Sequence, residues 1–220
     1  MTQRKPLIAV PTGDPAGVGP EIAAKACALE KVYDAADVIA IGDRKVMENA
    51  IRIVGADLRV NVVDSPAAGD YQKGVLNLID LDNIDQARFS YGTVQAMCGK
   101  AAYAYIEKSI RLAMEGEADA VATTPINKEA LHAAEVPFIG HTEIFGALTG
   151  TPDPLTMFET NGLRVFFLTR HKSLRAMLDD ITKDNIKACV KESLAALRRL
   201  GVTEGTMAVA GLNPHCGEHG

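Results

Sequence analysis

The chain has 220 residues, 47% of them hydrophobic, with a net charge of -5, enough for one large domain or two small ones with a real core. Its basic residues are dispersed, so it offers no strong positive field to a nucleic-acid backbone. No apolar run approaches the length of a membrane span, and the N-terminal apolar stretch is too short for a secretory signal. Cys27, Cys98, Cys189 and Cys216 form no CxxC pair and read as reduced thiols of a cytoplasmic protein.

In chain order, residues 7–10 predict a short buried strand, followed by the Gly/Pro-rich turn PTGDPAGVGPE and a helix over 22–29. Residues 37–43 predict a second strand, 44–54 a helix and 58–64 a third strand. Residues 65–92 are less regular and should hold a loop, a short strand and a connection. The strongest helical pattern covers 93–115, followed by a strand over 118–122 and a short helix over 125–133, with Thr124 as its cap and Pro125 in its first turn. A loop, VPFIGHTE, comes next, then a strand over 163–169, an amphipathic helix over 182–200 ended by Gly201, and a strand over 206–212. This alternation predicts an α/β layered fold.

Several short segments carry candidate chemistry. GDPAGVGPE (13–21) spaces its glycines as GxxxGxG, which is not the dinucleotide fingerprint GxGxxG. It reads either as a ligand-approaching loop, with Asp14, Gly17 and Glu21 facing a cofactor, or as a plain strand-to-helix turn with Pro20 at the first helical position. Lys128 lies in the first turns of a predicted helix, where a cation gains nothing from the helix dipole. It reads as an anion-binding or proton-transferring group, or as a solvated surface lysine. His141 and Thr142 follow a glycine. They read as ligand contacts, or as a loop histidine beside a helix cap. His171 and His215 each follow an apolar strand, and in open α/β sheets ligands sit beyond the carboxyl ends of the strands. Two imidazoles suit a divalent transition ion, but a catalytic site ordinarily takes three protein ligands. A third ligand would come from sequence outside this chain or from a partner subunit. The alternative is two hydrogen-bonded loop histidines. His132 and His219 carry no assigned role. The segment GLNPHCGEHG stops inside what reads as an active site, so the chain is expected to be part of a longer enzyme.

Taken together and in this order, GDPAGVGPE, TTPINKEAL, GHTE, FFLTRHKSLR and GLNPHCGE resemble the 4-hydroxythreonine-4-phosphate dehydrogenase (PdxA-like) family. The resemblance runs from residue 7 to the end of the chain. It implies a three-layer α/β/α fold similar to isocitrate and isopropylmalate dehydrogenases, with two domains around a cleft. Residues 1–130 would form the first domain and 131–220 the second, the latter involved in dimerisation. It also implies NAD and a divalent metal (Zn, Mg, Co or Mn) as cofactors, a homodimer, and a small phosphorylated hydroxy acid as substrate. His171 and His215 would be two of three histidine ligands, and His141 and Thr142 would contact substrate. The family's third histidine lies in a later YHDQG-like segment absent from these 220 residues. Cys216 and His219 stand where the family pattern has alanine and glycine. TPDPLTMFE and FFLTRH look more like the 4-phospho-D-threonate or 4-phospho-D-erythronate branch than the vitamin B6 enzyme. Both branches oxidise a hydroxyl beta to a carboxylate, after which carbon dioxide is lost, giving dihydroxyacetone phosphate in the first branch. The competing readings are 4-phosphohydroxy-L-threonine oxidation in pyridoxal 5'-phosphate biosynthesis, a phosphate-ester or acyl transferase on a similar sheet, and a non-catalytic small-molecule-binding domain.

Overall fold

Five short apolar segments pair in parallel into one sheet. In the computed structural model, which describes residues 4–218, β1 (Leu7–Pro11), β2 (Asp37–Gly42), β3 (Arg59–Val62), β4 (Val75–Asp80) and β5 (Ala120–Val121) stand in the order β3-β4-β2-β1-β5. Every neighbouring pair is parallel. Parallel strands covered on both faces read as near-continuous apolar runs, as DVIAIG and VLNLID do.

Successive side chains send the two faces of the sheet into two different cores. Leu7, Ala9, Ile39, Ile41 and Ile79 pack with Cys98, Ala101, Tyr105 and Leu112 of one helix. Ala40, Leu76 and Leu78 pack on the other face with Ala23, Ala24, Met47 and Ile51. Helices α1 (Gly19–Cys27) and α3 (Arg44–Val54) therefore cover one face, and α4 (Ala96–Met114) covers the opposite one. Between α1 and β2 lies a short helix, α2 (Glu30–Ala35), which the sequence reading did not anticipate.

Local chemistry sets the ends of these helices. Asp43 caps α3 by accepting from the Val46 N–H at 3.1 Å, and Gly55, at φ 65°, ends it in the left-handed conformation. The second carboxylate oxygen of Asp43 accepts from the Ile84 N–H at 3.3 Å, tying the cap to the connection after β4.

The back of α4 carries two more helices, α5 (Lys128–Ala133) and α6 (His141–Leu148). Leu131 and Ile144, both fully buried, pack against Ile106 and Ile110. This places α5 and α6 in a first unit that ends at Pro154, with a second unit beginning at Leu155. Residues 131–154, which the sequence reading assigned to the second domain, thus pack with the first.

In the second unit, β6 (Met157–Thr160) and β7 (Leu163–Phe166) form an antiparallel hairpin. Its two-residue turn is Asn161-Gly162, with φ of 47° and 81°, the left-handed pair that tight hairpins require. Two helices follow: α7 (Leu174–Leu178), capped by Ser173, and α8 (Lys183–Arg199), capped by Thr182. The expected strand over 206–212 does not form among the described residues. A strand exists only with a partner, the hairpin offers none to this segment, and Val209 and Leu212 are left 66% and 53% exposed. A 3-10 turn, Pro214–Gly217, ends the described chain, and His219 lies outside the described residues. No described helix is long and apolar enough to cross a membrane.

The glycines of the first loop yield a test. Gly13 has φ 72°, and a Cβ there would collide with the Pro125 carbonyl oxygen and lie 2.6 Å from Thr124 Oγ1. A Cβ on Gly17 would meet nothing closer than Asp14, at an ordinary 3.6 Å. Gly13→Ala is expected to destabilise the protein by about 2–4 kcal/mol in urea unfolding, and Gly17→Ala by under about 1 kcal/mol. Equal losses for the two variants would contradict this packing.

Candidate active site

The chain reverses its direction of travel across the sheet at β1. From β1 it crosses by α1 to β2 on one side, while β5, reached by α4 over the opposite face, lies on the other. In open α/β sheets, ligands usually bind beyond the carboxyl ends of the strands at such a switch point. Two of the singled-out segments, GDPAGVGPE after β1 and TTPINK after β5, meet there.

They meet by direct contact. The Asp14 N–H donates to the Pro125 carbonyl at 3.1 Å, and Thr124 Oγ1 donates to the Pro11 carbonyl at 3.0 Å. A Cβ on Gly19 would collide with the Thr12 carbonyl and lie 2.9 Å from Thr124 Oγ1. Gly13 and Gly19 are thus required by the seating of one loop on the other. Pro20 stands in the first turn of α1, which makes the segment a strand-to-helix turn of the kind Pro favours. Asp14 is buried, and its carboxylate accepts from the Ala16 N–H at 2.9 Å within its own loop. Burial pushes its pKa above the usual carboxylate value, and the Ala16 hydrogen bond opposes that. Beside it, burial pushes the Cys98 thiol up to about 11, so this cysteine is not a poised nucleophile. Gly17 is exposed and Glu21 half-buried.

Thr124 does not cap the next helix as expected. Its hydroxyl is committed to β1, and α5 starts three residues later than predicted, at Lys128. The cap is Asn127, whose side-chain oxygen accepts from the N–H groups of Glu129 at 2.9 Å and Ala130 at 3.1 Å. Sequence reasoning missed Asn127, although an Asn followed by a Lys-Glu-Ala-Leu run is a recognisable cap signal. Lys128 is therefore the first helical residue, with an exposed side chain. Its Cε lies 4.0 Å from where a Cβ on Gly140 would stand.

Gly140 is the N-cap of α6, so His141 and Thr142 are its first two residues. Thr142 is not the cap, because the helix begins one residue before it. The Nε2 atom of His141 is buried and, among the described residues, has no hydrogen-bond partner. Burial holds the pKa of His141 below its ordinary 6.5 and favours the neutral ring. The fold thus brings Lys128 of α5 and Glu143 of α6 to Gly140, the cap from which His141 and Thr142 begin α6.

His171 and His215 both fall in the second unit. Each is exposed and each has φ 53°, a left-handed conformation uncommon for a residue with a side chain. His171 stands five residues past β7, and His215 lies in the Pro214–Gly217 turn. Among the described residues no group of three or more His, Cys, Asp or Glu is arranged to hold a metal ion.

A parallel sheet covered by helices on both faces, with polar loops beyond the carboxyl ends of β1 and β5, defines the class as a layered α/β protein. Residues 34–220 match the family model described as pyridoxal phosphate biosynthetic protein PdxA, and the chain belongs to that family. It is 55% identical over 213 residues to a protein of Fusobacterium nucleatum provisionally named D-threonate 4-phosphate dehydrogenase, covering 97% of this chain and 64% of that one. It is equally similar, at 55% over 216 residues, to a protein of the same provisional name from Symbiobacterium thermophilum, covering 98% and 64% of the two chains. The chain thus spans just under two thirds of the length of these relatives. Among solved structures, the 4-hydroxythreonine-4-phosphate dehydrogenase of Klebsiella pneumoniae superposes with a TM-score of 0.89 at 36% identity, over 100% of this chain and 66% of that one. The corresponding Burkholderia phymatum structure gives 0.88 at 34% identity, over 98% and 65%.

The buried imidazole has a pH consequence. A histidine whose pKa falls on folding binds fewer protons in the native than in the unfolded state, so stability rises with pH across the window below 6.5. Acidification through that window should therefore cost the wild type more unfolding free energy than it costs His141→Asn. Urea unfolding of both proteins at a mildly alkaline and a mildly acidic pH measures this, and parallel losses would contradict it.

Proposed function

We propose that this protein is an NAD-dependent dehydrogenase of a 4-phosphorylated 3-hydroxy acid. The observation that carries the reading is the approach of Lys128 to Gly140, the cap from which His141 and Thr142 begin α6. An ammonium with no bonded partner among the described residues, a hydroxyl and a buried imidazole nitrogen without one suit a substrate with an anionic group and several hydroxyls. His141 and Thr142 would contact that substrate, and Lys128 would hold its anionic end or move a proton. Asp14, Gly17 and Glu21 are the positions we assign to the cofactor side of the site, although Gly13 and Gly19 of the same loop are taken up by the chain's own packing.

Oxidation breaks the substrate C3–H bond as hydride and its O–H bond as a proton, and NAD supplies the hydride acceptor. The β-keto acid formed loses carbon dioxide, and the electron pair left on C2 takes up a proton. From 4-phospho-D-threonate the product is dihydroxyacetone phosphate. His171 and His215 are the imidazoles we assign to a divalent metal, and their donor chemistry suits one. The described residues bring no third ligand to them. The same reading carries a homodimeric cytoplasmic enzyme of the isocitrate/isopropylmalate dehydrogenase type.

Two substrates have specific support. The family description and the solved structures, by their names, favour 4-phosphohydroxy-L-threonine, and theirs is the broader support. The names of the 55% identical relatives favour 4-phospho-D-threonate. A polar group left unpaired in the wrong pocket costs about 1–3 kcal/mol, so one compound should exceed the other by roughly fivefold to a hundredfold in kcat/KM. NADH formation with 4-phosphohydroxy-L-threonine, 4-phospho-D-threonate and 4-phospho-D-erythronate decides between them, and no NADH with any of the three would refute the proposal. For the metal, elemental analysis of His171→Ala should find substantially less bound ion than the wild type holds, with the fold retained by circular dichroism. Unchanged metal content would remove His171 from the ligand set.

A further inference from the structure

Helix α5 is only six residues long, too short to hold its own shape or position in water. Yet its first residue is Lys128. Three features of the neighbouring chain hold it. Leu131 is fully buried against Ile106 and Ile110 of α4. Asn127 ties down two of the N–H groups at the helix start. Gly99 of α4 lets the two backbones touch: a Cβ there would collide with the Ala130 carbonyl and lie 2.8 Å from the Leu131 nitrogen. Gly99 sits in the first turns of α4 in an ordinary helical conformation, where glycine costs about 0.5–1 kcal/mol relative to alanine. Its use is the close approach of α5.

We propose that Gly99 and Asn127 are positioning residues that set the reach of Lys128 toward the start of α6. This rests on the assignment of Lys128 to the substrate site. A side chain at position 99 must push α5 outward as a body, because the obstacle is backbone and cannot rotate away. Lys128, at the end of that body nearest Gly140, would move with it. Loss of the Asn127 cap acts differently: it frays the first turn of α5 and frees the Lys128 backbone without filling any space. Two unrelated perturbations therefore converge on one ammonium group.

The test is a set of double-mutant cycles in the intact enzyme. Gly99→Ala, Asn127→Ala and Asn127→Asp are each made with Lys128 present and in a Lys128→Ala background. Affinity for 4-phospho-D-threonate and for 4-phosphohydroxy-L-threonine is read as an equilibrium Kd, which an inactive background still returns, with kcat and KM measured wherever turnover remains. With Lys128 present, Gly99→Ala and Asn127→Ala should each weaken binding of the better substrate about fivefold or more, and Asn127→Asp, which keeps the cap, should stay within about twofold. In the Lys128→Ala background the same changes should alter Kd by less than about twofold. Equal losses in both backgrounds would overturn the proposal and leave Gly99 and Asn127 with a structural role alone. Should Gly99→Ala fail to fold, the Asn127 pair decides the matter by itself. If Lys128→Ala changes neither Kd nor kcat, the assignment of Lys128 fails, and the positioning role fails with it.

Discussion

The first unit depends on one close contact, the seating of the loop after β1 on the loop after β5. β5 pairs with β1 through two residues, and backbone hydrogen bonds from Asp119 to Leu7, Ala122 to Ala9 and Thr124 to Pro11 extend that ladder on either side. Contacts beyond the strand ends add to it: the Asp14 N–H on the Pro125 carbonyl, and the Thr124 hydroxyl on the Pro11 carbonyl. They form because Gly13 presents no side chain to the Pro125 carbonyl, while Gly19 lets its own loop turn back on the Thr12 carbonyl. With β5 held in register, the chain emerges at Lys128 on the same side of the sheet as α4, and α5 has a surface to pack on.

That surface is the second organising feature. α4 buries one face on the sheet through Cys98, Ala101, Tyr105 and Leu112, and another under α5 and α6 through Ile106 and Ile110. A helix buried on two sides needs small residues where backbones approach, and the sequence supplies Gly99, Ala101 and Ala102 there. Tyr105, the largest side chain in this core, keeps its hydroxyl bonded to Asn83 at 2.8 Å, which satisfies a polar group that burial would otherwise penalise. Asp43 caps α3 and holds the chain after β4. The result is a scaffold in which α5 and α6, neither longer than eight residues, are placed by their neighbours.

Much of this was legible in the residues. The apolar runs of β1, β2 and β4, the 3.6-residue pattern of α3 and α4, and the Thr182 and Gly201 boundaries of α8 all act locally, through periodicity and capping. The site was less legible because it depends on who touches whom. Nothing in TTPINK distinguishes a Thr124 that caps a helix from one that bonds to β1. Nothing in GDPAGVGPE says that Gly13 and Gly19 face protein. The hairpin before α7 was missed although Asn161-Gly162 announces it, because the turn lies inside a stretch read for its family likeness. The strand expected over 206–212 failed for the opposite reason: its apolar pattern is sound, but β-structure needs a neighbour and this segment has none among the described residues.

The glycines of the first loop bear on how such motifs travel between proteins. A phosphate-cradling loop keeps its glycines because a ligand would otherwise be displaced. Here the displaced party would be the chain itself: the Pro125 carbonyl and Thr124 hydroxyl at Gly13, and first the Thr12 carbonyl at Gly19. A pattern search built on GDPAGVGPE would therefore retrieve proteins that share this loop-on-loop joint, whatever they bind. A side chain at position 13 or 19 would meet backbone carbonyls, which no side-chain change elsewhere removes. The motif is thus a signature of how the chain packs on itself rather than of a bound group.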